Sequence, residues 1–81
     1  MKVLYFAWLR ERIGVPAEDI ETSAKTIRDL IQELSDREPR YAAAFADLTA
    51  IRCAIDQTLV SFDESLENAT EVAFFPPMTG G

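Results

Sequence analysis

At 81 residues the chain is long enough for one domain, and a domain of that size buries only about 60% of the surface its unfolded chain exposes, which leaves little material for a deep substrate cleft. Apolar residues make up 48% and charged residues 27%, ordinary proportions for a folded domain and not those of a disordered one. The net charge of −6, from 14 acidic and 8 basic residues, opposes nucleic-acid binding, which needs a cationic surface to displace counterions.

In chain order, residues 2–8 read KVLYFAW, apolar on both faces and rich in β-formers. This predicts a central strand buried on both sides. Residues 9–13 suit one helical turn, which Gly14 ends, and Pro16 breaks the pattern. Residues 18–22 suggest a second, more polar strand. The clearest helix signal spans residues 26–37, where Ile27, Leu30, Ile31 and Leu34 form one apolar stripe. Thr26 is placed to cap it, with Asp29 three residues on, and Pro39 stops it by forcing Glu38 out of helical geometry. A second short helix is expected over residues 40–48, where Tyr41, Ala44, Phe45 and Leu48 repeat the spacing.

Residues 50–55 alternate, with Ile51, Cys53 and Ile55 on one face, and predict a strand. Residues 58–62 suggest another. Residues 71–75 predict the last, again apolar on both faces, and Pro76 and Pro77 end it because proline cannot donate to a sheet ladder. The order is β–β–α–β–β–β. Two two-faced strands, first and last in the chain, are expected to be neighbours at the middle of one sheet with a helix across it. The expected fold class is α+β: a β-grasp (ubiquitin-like) domain over residues 1–77, with a mixed sheet of about five strands, one main helix and short extra helices. Residues 78–81 are expected to be a flexible C-terminal tail.

The usual catalytic residues are scarce. There is no His, hence no His-based triad or metal site. One Cys cannot build a zinc cluster. Cys53, between Ile51 and Ile55, reads as a small buried hydrophobe and not as a nucleophile. A single Cys without a partner points to a reducing compartment. The N-terminus lacks the pattern of a secretory leader, and no stretch approaches the ~20 apolar residues of a membrane span. A cytoplasmic location is therefore expected.

The ending, PPMTGG, carries the chemistry. Two terminal glycines strip side chains from around the final carboxylate. That suits a segment threaded into a narrow channel and leaves the terminal carbonyl carbon open to attack once activated. Met78, Thr79 and Gly80 are the expected threading residues and Gly81 the reactive one. Phe74, Phe75, Pro76 and Pro77 are expected to form a partner surface beside the tail, with Tyr5 and Leu59 as further candidates. After Arg52 the sequence contains no cation, while Asp56, Asp63, Glu64, Glu67 and Glu71 follow it. An acidic rim meeting a basic partner is the expected consequence, against the plainer reading of a solvated face.

These residues resemble those of the molybdopterin synthase small-subunit family. Residues 6–14, FAWLRERIG, are similar to that family's "FA-x-LRE-x-x-G" start, and residues 71–81, EVAFFPPMTGG, to its "EVA-x-x-PPV-S/T-GG" ending. The helix opening at Thr26 also looks like the family's. The chain departs from the pattern at Asn68-Ala69-Thr70-Glu71, where a "DGDE" turn is common, at Asp56-Gln57, and at Met78, where Val is commoner. None of these touches Gly80 or Gly81. The resemblance implies a sulfur carrier that is no enzyme on its own. An adenylating enzyme of the ubiquitin-activating type would use ATP to convert the Gly81 carboxylate to an acyl-adenylate. A sulfur donor such as a cysteine desulfurase or rhodanese would then yield a thiocarboxylate. The large synthase subunit would accept the tail and pass the sulfur to cyclic pyranopterin monophosphate, two loaded carriers supplying one dithiolene. No stably bound cofactor, metal, nucleic acid or membrane is implied. A thiamin-type sulfur carrier, a ubiquitin-like protein modifier and a plain interaction domain are the alternatives.

Overall fold

The computed structural model describes residues 1–77; the expectations placed on Met78, Thr79, Gly80 and Gly81 lie outside the described residues. Five strands form one mixed sheet. They are β1 (Lys2–Tyr5), β2 (Ala17–Asp19), β3 (Arg52–Ile55), β4 (Thr58–Val60) and β5 (Glu71–Phe75). The helices are α1 (Trp8–Ile13), α2 (Ile27–Arg37) and α3 (Pro39–Ala44), with a 3₁₀ turn at Leu48–Ala50. The sheet order is β2-β1-β5-β3-β4. The first and last strands do lie side by side at its centre, parallel, with Val3 opposite Val72 and Tyr5 opposite Phe74. Every other pairing is antiparallel. This is the expected α+β β-grasp arrangement.

Local chemistry sets the element ends. Gly14 takes the left-handed conformation (φ 98°) after α1 and its N–H returns to the Arg10 carbonyl, the usual glycine stop. The Thr26 side chain accepts the Asp29 N–H at 3.1 Å and opens α2. The two-residue connection between β3 and β4 has Asp56 and Gln57 at φ 47° and 73°, as a tight hairpin turn requires. Asn68 supplies a left-handed residue (φ 65°) before β5, a conformation that Asn tolerates. The Asp56 carboxylate then accepts from the backbone N–H groups of Thr70 and Glu71 and from the Thr70 hydroxyl, fastening the hairpin to the start of β5.

Several boundaries differ from the sequence reading; β3 begins at Arg52 and not at residue 50, which belongs to the 3₁₀ turn. β1 stops at Tyr5, because Ala7 adopts a positive φ of 55° and turns the chain into α1, which takes Trp8. β2 begins at Ala17, directly after Pro16, whose carbonyl accepts the Tyr5 N–H at 2.9 Å, and it ends before Ile20 enters the core. The helical periodicity at residues 41–48 is divided: α3 ends at Ala44, and the Asp47 side chain caps a new 3₁₀ turn by accepting the Thr49 N–H. β4 ends at Val60 because Phe62 turns away to accept the Arg28 N–H at the start of α2.

The core lies on one face of the sheet. Val3 and Tyr5, Cys53, Val72 and Phe74 meet Leu9 and Ile13 of α1 and Ile27, Leu30 and Leu34 of α2. Phe74 stands at the centre, edge-on to Phe45 at 4.9 Å and stacked on Tyr5 at 6.3 Å. The Tyr5 and Tyr41 hydroxyls both donate to Glu18 Oε2, at 2.8 and 2.6 Å, which ties α3 to β2. Burial first, and then these bonds to Glu18, push both phenols up, Tyr41 to about 12. Among the described residues no helix covers the other face. β1 and β5 are apolar on both sides, as the sequence indicates, but only one side is buried under helices.

Candidate functional site: an open sheet face at the root of the C-terminus

Register alone maps the uncovered face, because residues directly opposite one another on neighbouring strands point to the same side. Its middle row crosses all five strands: Ala17 of β2, Leu4 of β1, Ala73 of β5, Ala54 of β3 and Leu59 of β4. The row is entirely apolar, and Leu59 is 66% exposed. The row towards the start of β5 is charged, with Asp19 opposite Lys2 and Lys2 opposite Glu71. The row towards the end of β5 holds Phe75 opposite Arg52. Beside it is Phe6, which is 45% exposed and whose N–H donates to the Phe74 carbonyl at 3.1 Å. Phe75, Pro76 and Pro77 are half-buried and lead directly to Met78. The face thus has an apolar middle row between a charged row and the Phe75–Arg52 row, and β5, the central strand that leads to the C-terminal segment, crosses all three.

The residues expected at a partner surface separate here. Phe75, Pro76 and Pro77 are available. Phe74 is not: at 0% exposure it fills the core, since successive strand residues point to opposite faces. Tyr5 is likewise buried, at 1%, and belongs to the core. Leu59 does join the face. Sequence reading passed over Leu4, Phe6, Ala17, Ala54 and Ala73. The signal for them was present in the two-faced apolar pattern of β1 and β5, combined with too few helices to cover both sides.

The acidic residues are also not where a rim beside the tail would need them. Asp56 and Glu71 lie at the opposite end of β5 from Phe75, joined by the Asp56 N–H to Glu71 carbonyl bond, about 13 Å away along the strand. Asp63 is taken by Arg28 at 2.8 Å, and that guanidinium, through its hydrogen bond and charge, holds the carboxyl below its ordinary value. Glu64 and Glu67 sit in the segment returning to the start of β5.

Cys53 is 1% exposed and its Sγ lies 3.4 Å from the Val60 carbonyl. Burial pushes its thiol up to about 11, so it stays protonated near neutrality and is a poor nucleophile. A groove of about 430 Å³ between α1 and α3 is lined by Trp8, Arg12, Asp47 and four alanines. The Asp47 carboxylate is engaged with Thr49, and the groove offers no nucleophile.

The chain matches the ThiS family over residues 3–81. It belongs to that family. Within the ThiS family, a full-length relative is the molybdopterin synthase sulfur carrier subunit of Escherichia coli (strain K12), 43% identical over 81 residues that cover 100% of this chain and 99% of that protein. A solved structure described as a putative molybdopterin converting factor, subunit 1, from Pyrococcus furiosus has a TM-score of 0.74 at 34% identity, covering 95% of each chain. The crystal structure of SAMP1 from Haloferax volcanii has a TM-score of 0.77 at 24% identity, covering 100% of this chain and 98% of that one. It supports the fold alone.

Proposed function

We propose that this ThiS-family chain is the sulfur carrier subunit of a molybdopterin synthase, and that Gly81 carries the sulfur as a thiocarboxylate. The observation that carries the reading is the central strand β5, which runs along an uncovered apolar face and continues into the PPMTGG ending. The full-length relatives named as sulfur carrier subunits support it. A carrier of this kind needs no nucleophile of its own inside the fold. Its terminal carboxylate is adenylated with ATP by an activating enzyme, and a sulfur donor displaces AMP. The large subunit then draws Met78, Thr79, Gly80 and Gly81 into its active site, where the sulfur reaches cyclic pyranopterin monophosphate. The two glycines admit the tail where a Cβ would be refused. ATP is bound by the activating enzyme and reacts there with this chain's carboxylate, so the reading calls for no stably bound cofactor on this chain. The pathway is cytoplasmic.

The docking surface is the open face. Leu4, Leu59, Ala73, Phe75 and Phe6 meet the large subunit, and Pro76 and Pro77 stiffen the start of the tail. An apolar core with aromatic members is the usual composition at the centre of an interface.

Intact-mass measurement tests the chemistry. Chain produced with a native C-terminus beside its activating enzyme, ATP and sulfur donor gains the mass increment of one oxygen exchanged for sulfur, and a thiocarboxylate-specific reagent consumes that species. Carboxylate alone under those conditions refutes the reading. Recovery of the chain in isopeptide linkage to other proteins identifies a modifier instead.

A further inference from the structure

The last cation in the sequence stands on this face, at the opposite end from the charged row of Asp19, Lys2 and Glu71. Arg52 opens β3 and lies opposite Phe75. Its neighbour Cys53 points into the core, so Arg52 projects from the open face, directly opposite the last residue of β5. Its position is held from behind. Nη1 donates to the Ile51 carbonyl at 2.9 Å and to the Thr49 carbonyl at 3.3 Å. Nε and Nη2 donate to none of the described residues, and among these no carboxylate pairs with it. The acids in the strand pattern, Asp56 and Glu71, are at the far end of β5, where the Asp56 carboxylate accepts from the Glu71 N–H and the Glu71 main-chain carbonyl accepts from the Asp56 N–H.

A partner that covers Phe75, Ala73 and Leu59 must also cover Arg52. Removing from water a guanidinium whose only acceptors among the described residues are two backbone carbonyls leaves its charge unbalanced and its Nε and Nη2 unpartnered, whereas a carboxylate meeting that edge bidentately restores both the charge balance and the hydrogen bonds. Arginine is enriched among the residues that dominate interface energetics for this reason. We infer that Arg52 is a partner-selecting contact: the large synthase subunit presents a carboxylate, from Asp or Glu, at the corner of the open face where the tail departs. This inference rests on the carrier reading above. It reverses the polarity expected from composition. The carrier is acidic overall, yet its contact nearest the end of β5 is cationic and calls for an acidic residue on the partner, beside a middle row that is apolar.

The test measures binding of the carrier to the purified large subunit of the same organism by calorimetry, at low and high salt. The variants are Arg52→Glu, Arg52→Leu, Arg52→Lys and Leu59→Asp, with circular dichroism to confirm folding. Arg52 is exposed, so its variants are expected to fold. Arg52→Glu weakens binding about 100-fold or more, Arg52→Leu weakens it less and lowers its salt dependence, and Arg52→Lys recovers part of the loss. Each Asp and Glu of the large subunit is then changed in turn to Lys. One of these changes restores binding of Arg52→Glu at least about tenfold and weakens binding of the unmodified carrier. Two results overturn the inference: Arg52→Glu binding within about twofold of wild type, or no acidic position giving rescue. If Leu59→Asp abolishes binding and Arg52→Glu does not, the face is the docking surface and Arg52 is not its selector. If the unmodified carrier does not bind the large subunit at all, the carrier reading itself fails, and this inference with it.

Discussion

Phe74 and Phe75 are adjacent in sequence and opposite in role, which makes their alanine variants a direct test of the two-faced sheet. Phe74 is fully buried between Phe45 and Tyr5. Its truncation leaves a cavity at the centre of the core and is expected to destabilise the fold by about 3–5 kcal/mol. A chain of 81 residues has about 4–12 kcal/mol in total, so Phe74→Ala removes a large share of it and leaves a population of unfolded chain. Phe75 is half-buried on the face that no helix covers. Phe75→Ala is expected to lower stability by only about 1 kcal/mol, and to weaken association with the large subunit while the fold persists. Urea unfolding followed by fluorescence of the single tryptophan, Trp8, gives the first quantity, and co-purification with the large subunit gives the second. Equal unfolding midpoints for the two variants, or unimpaired association of Phe75→Ala, refute the assignment of the two faces.

Cys53→Ala retains sulfur transfer in a reconstituted two-subunit assay, with a stability loss of roughly 1 kcal/mol from the smaller side chain, read by the same urea titration; loss of transfer in the folded variant points instead to a thiol-borne sulfur. Deleting Gly81 abolishes transfer and leaves the circular dichroism spectrum unchanged, and Gly80→Val slows loading through its added Cβ, both followed by intact mass of the product. The hydrogen bonds from the Thr70 hydroxyl, and then from the Thr70 and Glu71 N–H groups, hold the Asp56 carboxyl below its ordinary value. Its contribution to stability is therefore present above the unfolded-state value and is lost as pH falls through the lower folded-state value. Asp56→Asn is expected to flatten the acid side of a stability-versus-pH curve measured by thermal unfolding, and an unchanged acid limb shows that the bonds carry no net charge preference.

How much of this was legible in sequence depended on whether the deciding cause was local. Helix α2 was readable because its cap, Thr26, its apolar stripe and its stop at Pro39 all lie within one segment. Strand β5 was readable because the diproline fixes its end. The terminus could be nominated from the sequence because the chemistry expected of Gly81 is that of the main chain and needs no neighbour in space; Gly81 itself lies outside the described residues. The open face was readable only in part: the two-faced strands and the shortage of helices signal a second apolar side, but not which residues of β2, β3 and β4 share it or what covers it. Phe74 and Phe75 show the same limit: alternation places them on opposite faces, but only the register with Cys53 and Arg52 decides which face is the core. The break between α3 and the 3₁₀ turn was hidden because Asp47 acts through a side-chain cap that interrupts an otherwise continuous helical period.

The composition of the open face fits a protein that must bind and then leave. Parallel central strands are ordinarily covered on both sides, and here β1 and β5 are covered on one. Three of the five residues in the middle row are alanines, Ala17, Ala54 and Ala73. Small side chains expose less apolar area to water than leucines would, which limits self-association of the free carrier. They also leave the sheet flat enough to be met by a broad partner surface. The larger anchors, Phe6, Phe75 and Leu59, are confined to the tail end and the β4 edge. On the proposed carrier reading, this would concentrate binding strength close to the point where the terminal segment enters its partner, so that docking and tail insertion would reinforce each other. A carrier loaded at one enzyme and unloaded at another gains from this arrangement. The platform alone, with its small middle row, would then hold a partner weakly, and the expected outcome is that deleting residues 78–81 weakens association with the large subunit measured by calorimetry.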